Sequence, residues 1–216
     1  TKKVLKYLQE KKEKMDGCIV GEPTNPNFIG EMAKIGRRGS VNFSLTVTGT
    51  QGHAAYPNDA DNPIPTLCNM LHHLTCLSLD TGSTYFDPST ITVTSIDTNN
   101  PATNIIPNHI QAKFNIRFND LFSSKDIITE VKRRLDVNGA PYSLDVNVSG
   151  EAFLSKDEKL SKCLTQAVKS VTGIEPVMST SGGTSDARFI TNFCPTIEFG
   201  LINKTAHKIN EHVCLE

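Results

Sequence analysis

The chain has 216 residues, with 22 Lys and Arg against 23 Asp and Glu and a formal charge of −1 at pH 7. A balance this close leaves no broad basic field for nucleic acid or an anionic membrane, so any anion recognition has to be local. The longest apolar runs are only a few residues, with no signal-peptide pattern and no spanning segment, which predicts a cytoplasmic protein without membrane or nucleic-acid partners. The length suits one large domain or two modest ones.

The six cysteines (Cys18, Cys68, Cys76, Cys163, Cys194, Cys214) are scattered, and none forms a C-x-x-C pair. A chain of this length and ordinary core composition needs no staples, so they are expected to be reduced and mostly buried.

Residues Lys3 to Lys14 set Val4, Leu5 and Leu8 among charged residues, an amphipathic helix that Asp16-Gly17 would end. Cys18-Ile19-Val20 is a short apolar run of the kind found in strands buried on both faces. The loop Gly21-Glu22-Pro23-Thr24 then puts Glu22 at the carboxyl end of a parallel strand, where ligands gather in open α/β sheets. A solvated loop carboxylate is the plainer reading of the same residue.

From Gly39 to Gly150 the pattern is more regular. Val41, Phe43, Leu45 and Val47 alternate with polar residues in a strand that runs out at Gly49. Gln51-Gly52-His53-Ala54-Ala55-Tyr56-Pro57 follows as a loop carrying an imidazole and a phenol. Asn62-Pro63 offers an N-cap and first-turn proline for a helix whose stripe is Ile64, Leu67, Cys68, Leu71 and Leu74. Strands are predicted over Ser89–Ile96 and His109–Asn119, the latter with Ile110, Ala112, Phe114, Ile116 and Phe118 on one face and Arg117 on the other.

Ser123 or Ser124 caps a second helix with Ile127, Ile128, Val131 and Leu135, stopped by Asn138-Gly139, and a fourth strand covers Tyr142 to Ser149. The order β-α-β-β-α-β is ferredoxin-like, with both helices on one face of an antiparallel sheet and the second and fourth strands at its edges. The second strand holds neither charge nor proline between Ser89 and Ile96, so little guards it against pairing with another chain.

After Gly150 an α/β texture returns. A helix carries Leu160, Cys163, Leu164, Ala167, Val168 and Val171 to Gly173, and Pro176–Ser179 reads as a short strand. In Ser181-Gly182-Gly183-Thr184-Ser185-Asp186 the glycines let backbone approach a ligand, and Ser185 is placed to cap the next helix, whose free N–H groups would take a carboxylate. Thr196–Gly200 is a final strand, followed by a loop with Asn203 and His207. If the two strands are close in one sheet, Glu22 and His207 become neighbours, a common partial zinc ligand set.

Val20-Gly21-Glu22-Pro23-Thr24, Gly36-Arg37-Arg38-Gly39-Ser40, Gly52-His53-Ala54-Ala55-Tyr56-Pro57, Asn104-Ile105-Ile106-Pro107, Gly182-Gly183-Thr184-Ser185-Asp186-Ala187-Arg188-Phe189 and His207-Lys208-Ile209-Asn210-Glu211 occur in that order. In this the chain resembles the bacterial succinyl-diaminopimelate desuccinylases, among the dinuclear zinc amidohydrolases that also include acetylornithine deacetylase and carboxypeptidases. The resemblance implies a zinc-peptidase-like catalytic α/β domain, residues 1–39 and 151–216, interrupted by a ferredoxin-like (βαββαβ) α+β dimerisation domain at 40–150.

It further implies a homodimer through the inserted domain, two zinc ions per subunit with cobalt able to substitute, and hydrolysis of N-succinyl-LL-2,6-diaminopimelate in lysine biosynthesis. Glu22 would bind one zinc and His207 the other. His53 would reach the partner's site and donate to the oxyanion, while Arg37, Tyr56, Asn104, Arg117, Gly183, Thr184 and Asn203 would hold the substrate. Zinc would lower the pKa of a bridging water that a carboxylate base deprotonates.

The family's H-x-D segment and adjacent Glu-Glu pair have no counterpart here. The expectation is therefore the later part of a longer enzyme, without a general base and inactive alone. A deacylase or dipeptidase for another N-acyl amino acid is the neighbouring alternative, and a ferredoxin-like RNA- or effector-binding module the alternative of another class. The latter lacks the K/R-G-F-x-F pattern, and its Phe114 and Phe118 have the parity of the helix-covered face. The unguarded second strand predicts a dimer: light scattering at micromolar concentration should read twice the 23.6 kDa chain mass, and a monomer would count against it.

Overall fold

A computed structural model describes residues 1–136 and 139–213. The elements begin with α1 (Lys2–Glu10), β1 (Cys18–Val20), β2 (Met32–Lys34), β3 (Gly36–Arg37), β4 (Gly39–Thr48), β5 (Gly52–His53), α2 (Pro63–Thr75), β6 (Thr90–Asp97) and β7 (Ile105–Ile106). They continue with β8 (His109–Phe118), α3 (Ser124–Leu135), β9 (Ser143–Gly150), β10 (Phe153–Leu154), α4 (Glu158–Thr172), β11 (Val177–Ser179), α5 (Ala187–Ile190) and β12 (Thr196–Glu198). Two compact units result: one from Thr1–Arg38, Thr84–Phe86 and the chain from Ala152 onward, the other from Gly39–Ser83 and Asp87–Glu151. Among the described residues no helix is long and apolar enough to cross a membrane.

The inserted unit is a four-stranded antiparallel sheet in the order β6-β8-β4-β9. Its second and fourth strands lie at the edges, as the ferredoxin-like reading predicts. Alternation decides the faces: Val41, Phe43, Leu45 and Val47 of β4 and Ile110, Ala112, Phe114, Ile116 and Phe118 of β8 are all buried. Phe43 and Phe114 stack with ring centroids 4.8 Å apart. Leu67, Met70, Leu71 and Leu74 of α2 and Ile127, Val131 and Leu135 of α3 complete this core. Full burial of each large side chain contributes about 1.5–3 kcal/mol. Gly39 has a packing reason, because a Cβ there would lie 2.1 Å from the Phe118 ring.

Both helices start as their sequences require. The Asn62 side chain accepts from Ile64 N–H with Pro63 in the first turn, and Ser123 forms a capping box with Asp126. Three details depart from expectation. Cys68 is exposed and Met70 fills the α2 stripe instead. Edge strand β9 leaves Val146 and Val148 38% and 42% exposed, since it has a neighbour on one side only. Strand β6 carries a bulge between Val93 and Ser95, a local twist of the edge that the predicted strand Ser89–Ile96 does not reveal. The helix stop at Asn138 lies outside the described residues, as does Cys214.

In the other unit the sheet order is β1-β12-β2-β11, with β1 parallel to β12, β2 parallel to β11 and β12 antiparallel to β2. Ala33, Ile35 and Ile197 from the sheet pack on Leu164 and Val168 of α4. That helix is capped by Asp157 and closed by left-handed Gly173 at φ 74°. Helix α1 ends at Glu10, short of the predicted Lys14, and Lys12 already has φ 58°. Strand β1 is not buried on both faces: it is an edge, and Ile19 is 53% exposed. Nor are the cysteines mostly buried. Of the five described, all free, only Cys194 is buried, because Cys68 and Cys163 sit one position beyond the buried Leu67 and one before the buried Leu164.

Arg134 clasps the two helices of the inserted unit. Buried on α3, it donates from Nη1 to the carbonyls of Leu74 and Leu77 at 2.8 and 2.7 Å and from Nη2 to Ser78 at 3.1 Å, satisfying the end of α2. Its Nε donates to Glu130 at 2.8 Å. The hydrogen bond from Arg133, helped by Arg134, outweighs burial and holds the Glu130 carboxyl down at about 2. Replacing Arg134 by Met keeps the apolar stem but orphans these carbonyls; chemical denaturation should show a loss of about 2–4 kcal/mol.

Candidate functional site

The His53 loop is built by backbone pairing. Strand β5 pairs antiparallel with β7, matching Gly52 with Ile106 and His53 with Ile105, and Ala54 N–H donates to the Asn104 carbonyl at 2.9 Å. Asn104 is thereby fixed beside the histidine. The N–H of Ala55 donates to His53 Nδ1 at 3.0 Å, and Tyr56 N–H donates to the His53 carbonyl at 2.8 Å. With Nδ1 accepting, the proton of the neutral ring sits on Nε2, which makes that nitrogen an outward donor. The His53 and Tyr56 rings lie 5.8 Å apart and both residues are exposed. Arg117 stands half-buried on the open sheet face, its Nε donating to Asn115 Oδ1 at 3.1 Å.

In the other unit the loops after β1 and β12 are laced together. Asn25 Nδ2 donates to the Gly200 carbonyl at 2.6 Å, and Asn203 N–H donates to the Asn25 carbonyl at 2.8 Å. A Cβ on Gly200 would lie 2.6 Å from the Glu22 carbonyl oxygen. Glu22 and Asn203 thus stand on adjoining strand-end loops. His207, farther along, is exposed with φ 61°, and its N–H donates to the Glu211 carboxylate at 3.4 Å. Among the described residues no three His, Cys, Asp or Glu side chains converge as a metal-binding group.

Arg37 is committed inside the protein. It is buried, its Nε donating to Glu198 Oε2 at 2.8 Å, Nη2 to the same oxygen, and Nη1 to the Ser181 carbonyl at 2.9 Å. The other carboxylate oxygen of wholly buried Glu198 accepts from Ser185 Oγ. Ser185 Oγ also accepts from Ala187 N–H at 3.2 Å, so its capping role is seen, but α5 is a single turn and that N–H is already used. Gly183 and Thr184 lie in the arch between these anchors. Lys34 is buried nearby, its Nζ donating to Ser181 Oγ at 2.6 Å and Ser179 Oγ at 3.1 Å.

Sequence reasoning missed Glu198, Lys34 and the tie to Ser185. The available signal was ionisable residues in apolar strands, Glu198 beside Ile197 and Lys34 between Ala33 and Ile35.

Residues 35–143, half of the chain, match the family model described as the M20 peptidase dimerisation domain. The chain belongs to this family. The match takes in the His53 loop, Arg117 and the β6 edge. Over its whole length the chain is 48% identical to a succinyl-diaminopimelate desuccinylase of Rhodospirillum centenum, of which it covers 56%. Over 98% of its length it is 47% identical to that of Ehrlichia canis, again covering 56%. The chain thus spans little more than half the length of these curated relatives.

Two solved structures share the fold at low identity. A tripeptidase from Staphylococcus aureus is 19% identical with a TM-score of 0.71, over 91% of this chain and 51% of that one. An M20 family metallo-carboxypeptidase from Sulfolobus solfataricus is 15% identical with a TM-score of 0.72, over 90% and 66% respectively.

The unit outside the inserted one also carries a pH signature. Burial, with the charge of Arg37 adding and Glu198 opposing, pushes Lys34 down from 10.5 to about 8. Between those values the unfolded chain binds a proton that the folded chain has released, so Lys34 makes stability rise with pH across that window. Denaturant titrations at about pH 8 and about pH 10 should show a smaller rise in Lys34→Met than in the wild type; equal slopes would contradict it.

Proposed function

We propose that the whole protein hydrolyses N-succinyl-LL-2,6-diaminopimelate to succinate and LL-diaminopimelate, as a metal-dependent amidohydrolase of lysine biosynthesis acting as a homodimer. The observation that carries this is the 48% identity over the full chain, through both units, to relatives of that name. The dimer forms through the inserted unit, whose family is a peptidase dimerisation domain and whose β6 edge is unpaired among the described residues.

Two zinc ions per subunit, with cobalt able to substitute, belong to the same proposal, and Glu22 and His207 are donors of the right type. An open catalytic zinc site needs three protein ligands. The described residues supply no such cluster, so these two donors alone do not fit a complete site.

The roles left to this chain concern binding and charge. His53, with Nδ1 accepting and Nε2 left as donor, stabilises the oxyanion formed when the amide carbonyl is attacked, in the partner's site. Arg117 and the Gly183-Thr184 arch receive substrate carboxylates, with Tyr56, Asn104 and Asn203 as polar contacts. Arg37 takes part while held by Glu198, so a substrate carboxylate would share its guanidinium.

The test is steady-state hydrolysis by the whole protein with zinc. Succinate release is expected to exceed acetate release from the N-acetyl analogue, and the 216-residue chain alone should be inactive. His53→Ala, a change at an exposed position, should lower kcat by about 10²–10³. Faster acetate release would move the protein to another deacylase specificity, and an unchanged kcat in His53→Ala would remove the oxyanion role.

A further inference from the structure

We propose that Glu198 is a positioning residue that sets the shape of the Gly182-Gly183-Thr184 arch by holding both of its ends at once. The proposal rests on the reading of that arch as a substrate-carboxylate site. At the far end, Ser185 Oγ donates to Glu198 Oε1 and accepts from Ala187 N–H. At the near end, the Ser181 carbonyl accepts from Arg37 Nη1 at 2.9 Å, while Arg37 itself rests on Glu198 Oε2. One wholly buried carboxylate therefore spans the arch, directly on one side and through a guanidinium on the other.

The backbone between the anchors is fitted to this support. Gly182 has φ 97°, a conformation that favours glycine, and a Cβ on it would lie 2.3 Å from Arg37 Nη1. The arch therefore crosses directly over the guanidinium. Gly183 by contrast would meet nothing within 4 Å, so the crown of the arch is open to a ligand. Ser181, Gly182 and Gly183 are exposed, whereas Arg37 and Glu198 beneath them are buried. Glu198 does not touch the substrate in this arrangement; it acts through Arg37 and Ser185.

Glu198→Gln keeps the side-chain shape and an acceptor for Ser185, but loses the charge that holds Arg37. Ser185→Ala releases only the far anchor and leaves the buried ion pair intact, so it remains informative if Glu198→Gln fails to fold. In the whole protein, hydrolysis of N-succinyl-LL-diaminopimelate should show KM raised about tenfold in Glu198→Gln and about threefold in Ser185→Ala, with kcat changed less. In the 216-residue chain, amide exchange at Gly182, Gly183 and Thr184 should quicken about tenfold in Glu198→Gln, while strand Gly39–Thr48 keeps its protection.

An unchanged KM with reduced kcat in both variants, or unaltered exchange in the arch, would overturn the proposal. If the wild type does not hydrolyse the substrate, the functional reading fails, and exchange in the arch still decides whether Glu198 shapes it.

Discussion

The antiparallel ladder between β4 and β8 is the constraint on which the inserted unit depends. It runs unbroken from Gly39 opposite Phe118 to Thr48 opposite His109. Side chains alternate with a period of two, so a one-residue slip of β8 against β4 would turn Phe114 out to solvent and Arg117 into the core. The buried aromatic pair therefore selects the register, and the register then locates the chemistry. Arg117 emerges on the open face near one end. At the other, Gly49 N–H donates to the Asn108 carbonyl at 2.8 Å, and the next few residues lead into the His53 loop.

The other unit is organised by a buried charge rather than by apolar pattern. Glu198 sits in a strand of three residues with Arg37 and Ser185 on its two oxygens. Such a pair contributes little net stability, because desolvating both ions offsets most of their attraction, yet removal of either partner leaves an uncompensated charge. Its value here is geometric. Both partners bind the same carboxylate, so the segments carrying them cannot shift independently. The second cation, Lys34, is held by serine hydroxyls instead of a carboxylate, and its charged form is accordingly costly.

The contrast explains what the sequence could disclose. Long strands such as β4 and β8 announce themselves by alternation, and α3 by a capping serine followed by a stripe, so the ferredoxin-like order and the position of Arg117 were legible. Strands of three residues hold too little alternation to assign faces, which is why Ile19 was misplaced. Arg37 and Glu198 are 161 positions apart, so their meeting is a property of the fold and not of local pattern. The end of α1 was hidden for another reason: Lys11 to Lys14 remain compatible with a helix, and only the left-handed turn at Lys12 stops it. The His53 motif was visible as a motif, but the hydrogen bond that fixes its ring was not.

That hydrogen bond also sets His53 apart from a metal-binding histidine. An imidazole bound to a metal through one nitrogen keeps its proton on the other and donates it to a carboxylate or carbonyl. At His53 the other nitrogen faces the Ala55 N–H, so coordination through Nε2 would set two hydrogens against each other. A metal ion arriving at this loop would find a ligand of the wrong tautomer. His53 can therefore stand close to bound metal without competing for it.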